Sequence, residues 1–341
     1  MSFVLSAIRF RATGTLLRAV AAGLLAIAAG VCAAQPAAFP TVKPISLIVP
    51  YSAGGPSDAG ARIFATPFAK AIVQTVLVEN VAGATGSIAG NKVLAAPADG
   101  YNIYYGSPNE VILSPLVNSA VKFKPEDFRL VHPLSTSTLV LLTRQDLKVG
   151  SLDEFITLAR ASKAKPLAYG SVGIGSLYHL ITEELGRRIG APFNHVPYKG
   201  SAQVLTDLAG GQIDFAVLPY QASIDGMVKE KRMQLVSSFS RSLPPALKHL
   251  KPVTDSKLLT DFEFTIWGGL LVKASTPEPI VDTLRNATVK TLANPDLRKR
   301  MEEEGRIPFD AYSKEQVVEM QKTQIAAYRA MIKALDFKQV N

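Results

Sequence analysis

The stretch Ile45-Ser46-Leu47-Ile48-Val49-Pro50-Tyr51-Ser52-Ala53-Gly54-Gly55-Pro56-Ser57-Asp58 decides the fold class of this chain. Its first five residues, largely apolar and β-branched, read as a buried strand. Pro50 and the Gly54-Gly55-Pro56 cluster stop that strand, and Asp58 is expected to open a helix through Ala59, Arg62, Ile63 and Phe68. A strand that enters a helix through glycines leaves backbone N–H groups without internal partners, and glycine lets a ligand approach them. A carboxylate or phosphate is the natural guest of such a turn, although an ordinary βα turn looks the same in isolation.

The same logic recurs along the chain. Val76-Leu77-Val78-Glu79 runs into a loop containing Gly83, Ala84, Thr85 and Gly86, and Asn102-Ile103-Tyr104-Tyr105 ends at Gly106-Ser107-Pro108-Asn109. Three strands thus each deliver a small, glycine-bearing loop, and in an open parallel sheet such ends lie together, where ligands bind. A second unit begins near Leu139, with a capping box at Ser151–Glu154 and a strand, Leu167-Ala168-Tyr169, leading into Gly170-Ser171-Val172-Gly173-Ile174-Gly175-Ser176. Strands follow at 193–196, 213–218 and 233–237. Trp267–Val272 reads as a strand returning to the first unit, Pro277 starts a helix broken at Asn294-Pro295, and Ser313 caps a terminal helix. The expectation is two α/β domains with a cleft between them: residues 35–138 plus 262–341 form a discontinuous first domain, and 139–261 form the second.

The first thirty-four residues belong to neither. Arg9, Arg11 and Arg18 precede an apolar run from Ala19 to Val31, and small residues follow at Cys32-Ala33-Ala34. This is the pattern of a cleaved secretory signal peptide, with Gln35 as the new N-terminus and a periplasmic destination. Cleavage would remove the only cysteine and lower the net charge from +9 to +6. A moderately basic exported chain suits anionic ligands, but no Lys/Arg block of the nucleic-acid-binding kind exists.

Catalytic signatures are missing. Tyr169 stands where a G-x-S-x-G elbow around Ser171 would need its first glycine, no P-loop lysine follows a glycine cluster, and the four histidines, His132, His179, His195 and His249, have no metal-ligand spacing. No cofactor or metal is expected. The enzymatic alternative is a hydrolase using Ser171 or Ser176 with His179.

Taken together, Lys43-Pro44-Ile45 to Asp58, Val78-Glu79-Asn80 with Gly83-Ala84 and Gly86, Asp99-Gly100-Tyr101, Tyr169-Gly170-Ser171 to His179-Leu180, His195-Val196-Pro197-Tyr198-Lys199-Gly200, Asp207-Leu208, Gly210 to Asp214 and Trp267 to Leu270 resemble a known family. It is the Bug family, the TctC-type extracytoplasmic solute-binding proteins of tripartite tricarboxylate transport systems. The resemblance implies a type II periplasmic binding protein fold and a monomer that binds a small carboxylate for a membrane transporter, or for a membrane sensor. It also implies a site held by backbone amides of the first two glycine loops: Tyr51, Ser52, Ala53, Gly54, Gly55 and Asp58, then Gly83, Ala84 and Thr85. Ser107 resembles the family's hydroxyl at the third strand end, Ser171, Gly175 and Ser176 its contribution from the second domain, and Tyr198 a wall or stacking residue. Two positions depart from the pattern. Ala53 replaces a proline before the double glycine, and Leu218 stands where amino-acid-binding relatives have an aspartate. Leucine cannot accept an ammonium, so the expected ligand is an organic acid without an amino group, either a dicarboxylate or an aromatic acid.

Overall fold

Strand β1 (Ile45–Val49) leads to helix α1 (Pro56–Ile72), then β2 (Val76–Asn80), α2 (Ser87–Ala95) and β3 (Asn102–Gly106) in a computed structural model that describes residues 39–335 and 337. The expected signal segment, residues 1–34 with Cys32, lies outside the described residues. β1 sits between β2 and β3 and runs parallel to both, so the three glycine-bearing loops leave the same edge of the sheet. α1 covers this sheet with Phe64 and Phe68, stacked at 4.9 Å and fully buried. Each such phenylalanine contributes about 1.5–3 kcal/mol of burial.

After the short α3 (Ser114–Val117) comes β4 (Phe128–Arg144), the strand that joins the two halves. Its first part, to Thr138, runs antiparallel to β9 (Thr265–Lys273). From Leu139 it runs antiparallel to β7 (Phe215–Pro219), and from Val140 also to β8 (Met233–Ser238). The sequence places a strand at Leu139 but gives no sign of the eleven residues before it. Pro133 and the hydroxyl run Ser135–Thr138 weaken the strand pattern there, and register shifts at Leu130/His132 and Pro133/Ser135 accommodate them.

The second half contains α4 (Leu152–Ala161), β5 (Leu167–Ser171), α5 (Leu177–Ile189), β6 (Phe193–Pro197), α6 (Ser201–Ala209) and α7 (Ser223–Lys229). β5 runs parallel to β6 and β7, and its core is aromatic, with Phe215 lying 4.7 Å from Phe193 and 5.0 Å from Phe155. The sheet order is β2-β1-β3-β9-β4-β7-β5-β6. We refer to the elements on the β2-β1-β3-β9 side as the first lobe and those on the β7-β5-β6 side as the second.

The chain closes through α8 (Glu278–Leu292), α9 (Pro295–Glu303), β10 (Arg306–Pro308) and α10 (Lys314–Ala334). Asn294-Pro295 does break a helix, but the Asn294 side chain immediately caps another by accepting from Asp296 N and Leu297 N. β10 then adds antiparallel to β4, pairing Arg306 with Ser137. The capping box at Ser313 and Gln316 starts α10 as its sequence implies. No helix among the described residues is long and apolar enough to cross a membrane.

Candidate functional site

Loops from the parallel strands of both lobes meet face to face. In the first loop Gly54 adopts φ +82°, a left-handed conformation that suits glycine. α1 begins at Pro56 with Gly55 as its N-cap, so Asp58 is not the residue that opens the helix; it lies in the first turn and reaches back. Its Oδ2 accepts from Gly54 N at 2.9 Å and its Oδ1 lies 2.9 Å from Arg62 Nε. Burial opposes the charge of Asp58, but the Arg62 and Gly54 hydrogen bonds outweigh it and hold the carboxyl below its ordinary range. The Gly54 amide is therefore engaged inside the loop.

Gly55 faces the other lobe. A Cβ placed on it would lie 3.8 Å from Ala202 N and 3.9 Å from Ser201 N, the first amides of α6. Behind it Gly200 packs on Ser52, with only 3.3 Å from its would-be Cβ to Ser52 N. The N-termini of α1 and α6 thus converge. Each carries a partial positive charge of about half a unit and unpaired N–H groups, so the two ends repel one another unless an anion sits between them.

The second loop turns through four consecutive positive φ angles, at Gly83, Ala84, Thr85 and Gly86. Ala84 at +46° and Thr85 at +50° occupy a region that costs L-residues roughly 1–2 kcal/mol each. Thr85 Oγ1 donates to Ile174 O across the lobes at 3.0 Å. In the third loop Ser107 gives both its N–H (2.6 Å) and its Oγ (3.0 Å) to the carboxylate of Glu110. Glu110 is fully enclosed, and burial raises its pKa to about 7 against these hydrogen bonds. The Tyr51 hydroxyl lies alongside it without forming a well-aligned hydrogen bond.

The facing loop of the second lobe is tied by hydrogen bonds to its own side chains. Ser176 caps α5 by accepting from His179 N and donates to Gly173 O at 2.8 Å. Ser171 Oγ lies 3.0 Å from Gly173 O and 2.7 Å from His195 Nε2. His179 Nδ1 accepts from Gly175 N at 3.0 Å, and its ring stacks on His195 with centroids 4.1 Å apart. Burial, joined at His179 by the neighbouring His195, lowers the pKa values to about 3 for His179 and about 4 for His195, so both are neutral at pH 7. The serine–histidine pairing of a hydrolase with His179 as base is not formed. Ser171 bonds His195 and is fully buried, and Ser176 meets only the backbone amide of His179.

Two small cavities lie at this meeting of the lobes. One, of about 20 Å³, is walled by Tyr51, Gly55, Pro56, Ser57, Val172, Tyr178, Ser201 and Pro219. The other, of about 30 Å³, shares Pro56, Ser57, Tyr178 and Pro219 and adds Tyr105, Ser107, Ser137, Trp267 and Arg306. Each has room for a water or two. Larger hollows, of about 450 Å³ beneath α10 and about 580 Å³ beside Gly150–Asp153, share no lining residue with either small cavity. Two buried donors that line the 30 Å³ cavity have no partner among the described residues: the hydroxyl of Tyr105 and Nε of Arg306. Neither small cavity is lined by an aspartate or glutamate. Among the described residues no cluster of His, Cys, Asp or Glu could hold a metal.

Of the residues expected in the site, Tyr51, Gly55 and Ser107 line the cavities, while Ser52 and Thr85 touch the facing lobe. Gly175 presses on the first lobe, its would-be Cβ lying 2.0 Å from Val117 Cγ2. Ala53, Gly83 and Ala84 shape the loops. Tyr198 is turned into its own lobe, its hydroxyl donating to Asp207 at 2.7 Å. Leu218 is fully buried in the core of β7, and it is the next residue, Pro219, that reaches the cavities. Sequence reasoning missed Tyr105, Tyr178, Pro219, Trp267 and Arg306. Tyr105 carries a local signal as the last residue of a strand ending at a glycine-bearing loop, and Trp267 lies in one of the segments that carry the family resemblance.

The sequence matches the family described as "Tripartite tricarboxylate transporter family receptor" over residues 61–337. It is 30% identical over 267 residues to a protein of the TAR-I ttuE-ttuC' intergenic region of Agrobacterium vitis, covering 78% of this chain and 76% of that one. Among solved structures, it is similar to R. palustris Rpa4515 with adipate, at 26% identity and a TM-score of 0.82 over 89% of this chain and all of the other. The periplasmic binding protein BugD gives 25% identity and a TM-score of 0.81, over 88% of this chain and 99% of its own. The architecture is that of the periplasmic binding proteins, and the chain belongs to the tripartite tricarboxylate transporter receptor family, the TctC-type Bug solute-binding proteins.

Proposed function

We propose that this chain is an exported solute-binding protein that encloses a small organic carboxylate between its lobes and presents it to a tripartite tricarboxylate-type membrane transporter. The observation that carries this reading is the convergence of the α1 and α6 N-termini on one point, beside the 20 Å³ cavity that Gly55 and Ser201 both line. Two positive helix ends with unpaired N–H groups suit an anion and disfavour a cation. Rpa4515, similar in fold and sequence, has adipate in its structure. The walls offer no acidic side chain to an ammonium, which favours an acid without an amino group on better grounds than Leu218 does.

Cavities of 20–30 Å³ admit no such acid, so both entry and the bound state need the lobes further apart than they stand here. The bodies that move are taken as 35–138 with 262–341 against 139–261, bending where β4 changes partners between Thr138 and Leu139. The ligand would stabilise the closed form by touching both. A thermal-shift screen of the purified protein against di- and tricarboxylates, aromatic acids and acidic amino acids tests this. A bound acid at about 100 times its Kd should add about 2.7 kcal/mol of stability. A screen in which only glutamate or aspartate stabilises the protein would contradict the ligand class, and one in which no acid does would contradict the function.

Export is the other component. The signal segment should be removed after Ala34, giving a periplasmic protein that starts at Gln35. Intact-mass measurement of protein recovered from the periplasm checks this, and retention of residues 1–34 would refute it.

A further inference from the structure

Arg306 is 5% exposed, yet among the described residues no carboxylate lies within ion-pair distance of it. Its guanidinium donates to Pro56 O and, at 3.4 Å, to Ser137 Oγ, and its Nε has no partner. The other arginine buried to a similar degree, Arg285, is paired with Asp282 at 2.5 Å. A guanidinium cannot shed its proton to escape burial, so holding it in a dry site without a counter-ion is costly. Among the described residues no acid pairs with this enclosed charge, the buried Glu110 being hydrogen-bonded to Ser107 instead.

Its surroundings give that charge a direction. Arg306 lines the 30 Å³ cavity together with Tyr105, whose buried hydroxyl also lacks a partner. Both groups crowd the same face of Gly60, where an added Cβ would be 2.5 Å from Tyr105 Oη and 2.8 Å from the guanidinium carbon. Glycine at position 60 is what makes room for them. The cavity is continuous in its walls with the one at the helix N-termini, since Pro56, Ser57, Tyr178 and Pro219 belong to both. One compartment offers helix ends and the other a fixed cation with a phenol beside it, and nothing in either wall is anionic.

We propose that Arg306 with Tyr105 forms a second anion subsite, so that the ligand is a diacid: one carboxylate at the α1 and α6 N-termini, the other on the guanidinium. This rests on the carboxylate-binding reading and narrows it, selecting dicarboxylates over monocarboxylic aromatic acids. Arg306 acts here as a specificity-determining residue through a charge-assisted, two-pronged hydrogen bond of the kind arginine makes with carboxylates.

Calorimetry of the purified full-length mature protein with straight-chain diacids from succinate to suberate, each compared with its half-amide of the same length, is the test. The best diacid should bind about 10–100-fold more tightly than its half-amide, the range for losing a hydrogen bond to a charged partner. In Arg306→Gln that ratio should fall to within about threefold, while half-amide affinity changes little. Arg306→Lys, which keeps the charge but not the fork, should restore part of the preference, and Tyr105→Phe should lower diacid affinity severalfold. Equal binding of diacid and half-amide by the unaltered protein would overturn this inference alone, and needs no variant to fold. So would an Arg306→Gln protein that weakens for both ligands alike, the result expected of a strut tying α1 to β4. Failure of every acid to bind would overturn the carboxylate reading, and this inference with it.

Discussion

Gly175→Ala is expected to lower carboxylate affinity by about 10–100-fold while leaving a folded protein. The methyl group would be placed 2.0 Å from Val117 Cγ2, a contact made only where the second lobe's loop meets α3 of the first. Overpacking of this kind costs about 1–3 kcal/mol, and here it falls wholly on the closed form. The φ of +75° at Gly175 adds backbone strain as well, but that strain is present with the lobes open or closed. It should therefore appear as a modest fall in the Tm of the ligand-free protein and not in the affinity. Because Val117 is the obstacle, Val117→Ala in the same chain should recover most of the lost binding, and a double-mutant cycle by calorimetry measures the coupling. Additive losses in the two single variants would show that the loop does not close on α3.

Gly55→Val should have the second-largest effect, at least a tenfold loss. Gly55 has a φ of −88°, which any residue can adopt, so no backbone strain accompanies the change. A Cβ alone also fits, lying 3.7 Å from Ser52 O and 3.8 Å from Ala202 N. Gly55→Ala is accordingly expected to bind nearly as well as the parent. The two γ-methyls of valine would occupy the gap between the helix ends where the acid is placed, removing a charge-assisted hydrogen bond of about 1.5–3 kcal/mol. Gly54 does not offer the same experiment. Its φ of +82° strains any side chain, and its amide is held by Asp58. If Gly55→Val bound every acid with unchanged affinity in calorimetry, the anion would lie somewhere other than between the helices.

What the sequence made legible was local chemistry: apolar runs of five residues ended by glycines, which define parallel strands and place their loops on one edge of a sheet. Tyr51, Gly55 and Ser107, which line the cavities, and Gly175, which presses on the first lobe, are legible because they sit in those loops. Arg306 is not, since β10 is three residues long and its contact with Pro56 spans 250 positions, so neither pattern nor spacing points to it. Tyr178 and Pro219 were hidden for a different reason. One lies among the apolar residues that start α5 and the other ends a buried strand, and only the tertiary packing of the two lobes makes them walls of one cavity. Leu218 was read as a site residue through the resemblance alone. In a strand successive side chains alternate between faces, and here Leu218 lies in the core while Pro219 lines the cavities.

The most direct test is a crystal structure of the mature protein with the acid that stabilises it most in the thermal-shift screen. One carboxylate should lie within hydrogen-bond distance of amides at the starts of both α1 and α6, enclosed by Tyr51 and Tyr178. A ligand in the hollow beneath α10, or one bound at the strand ends of a single lobe without contact to the other, would contradict capture between the lobes.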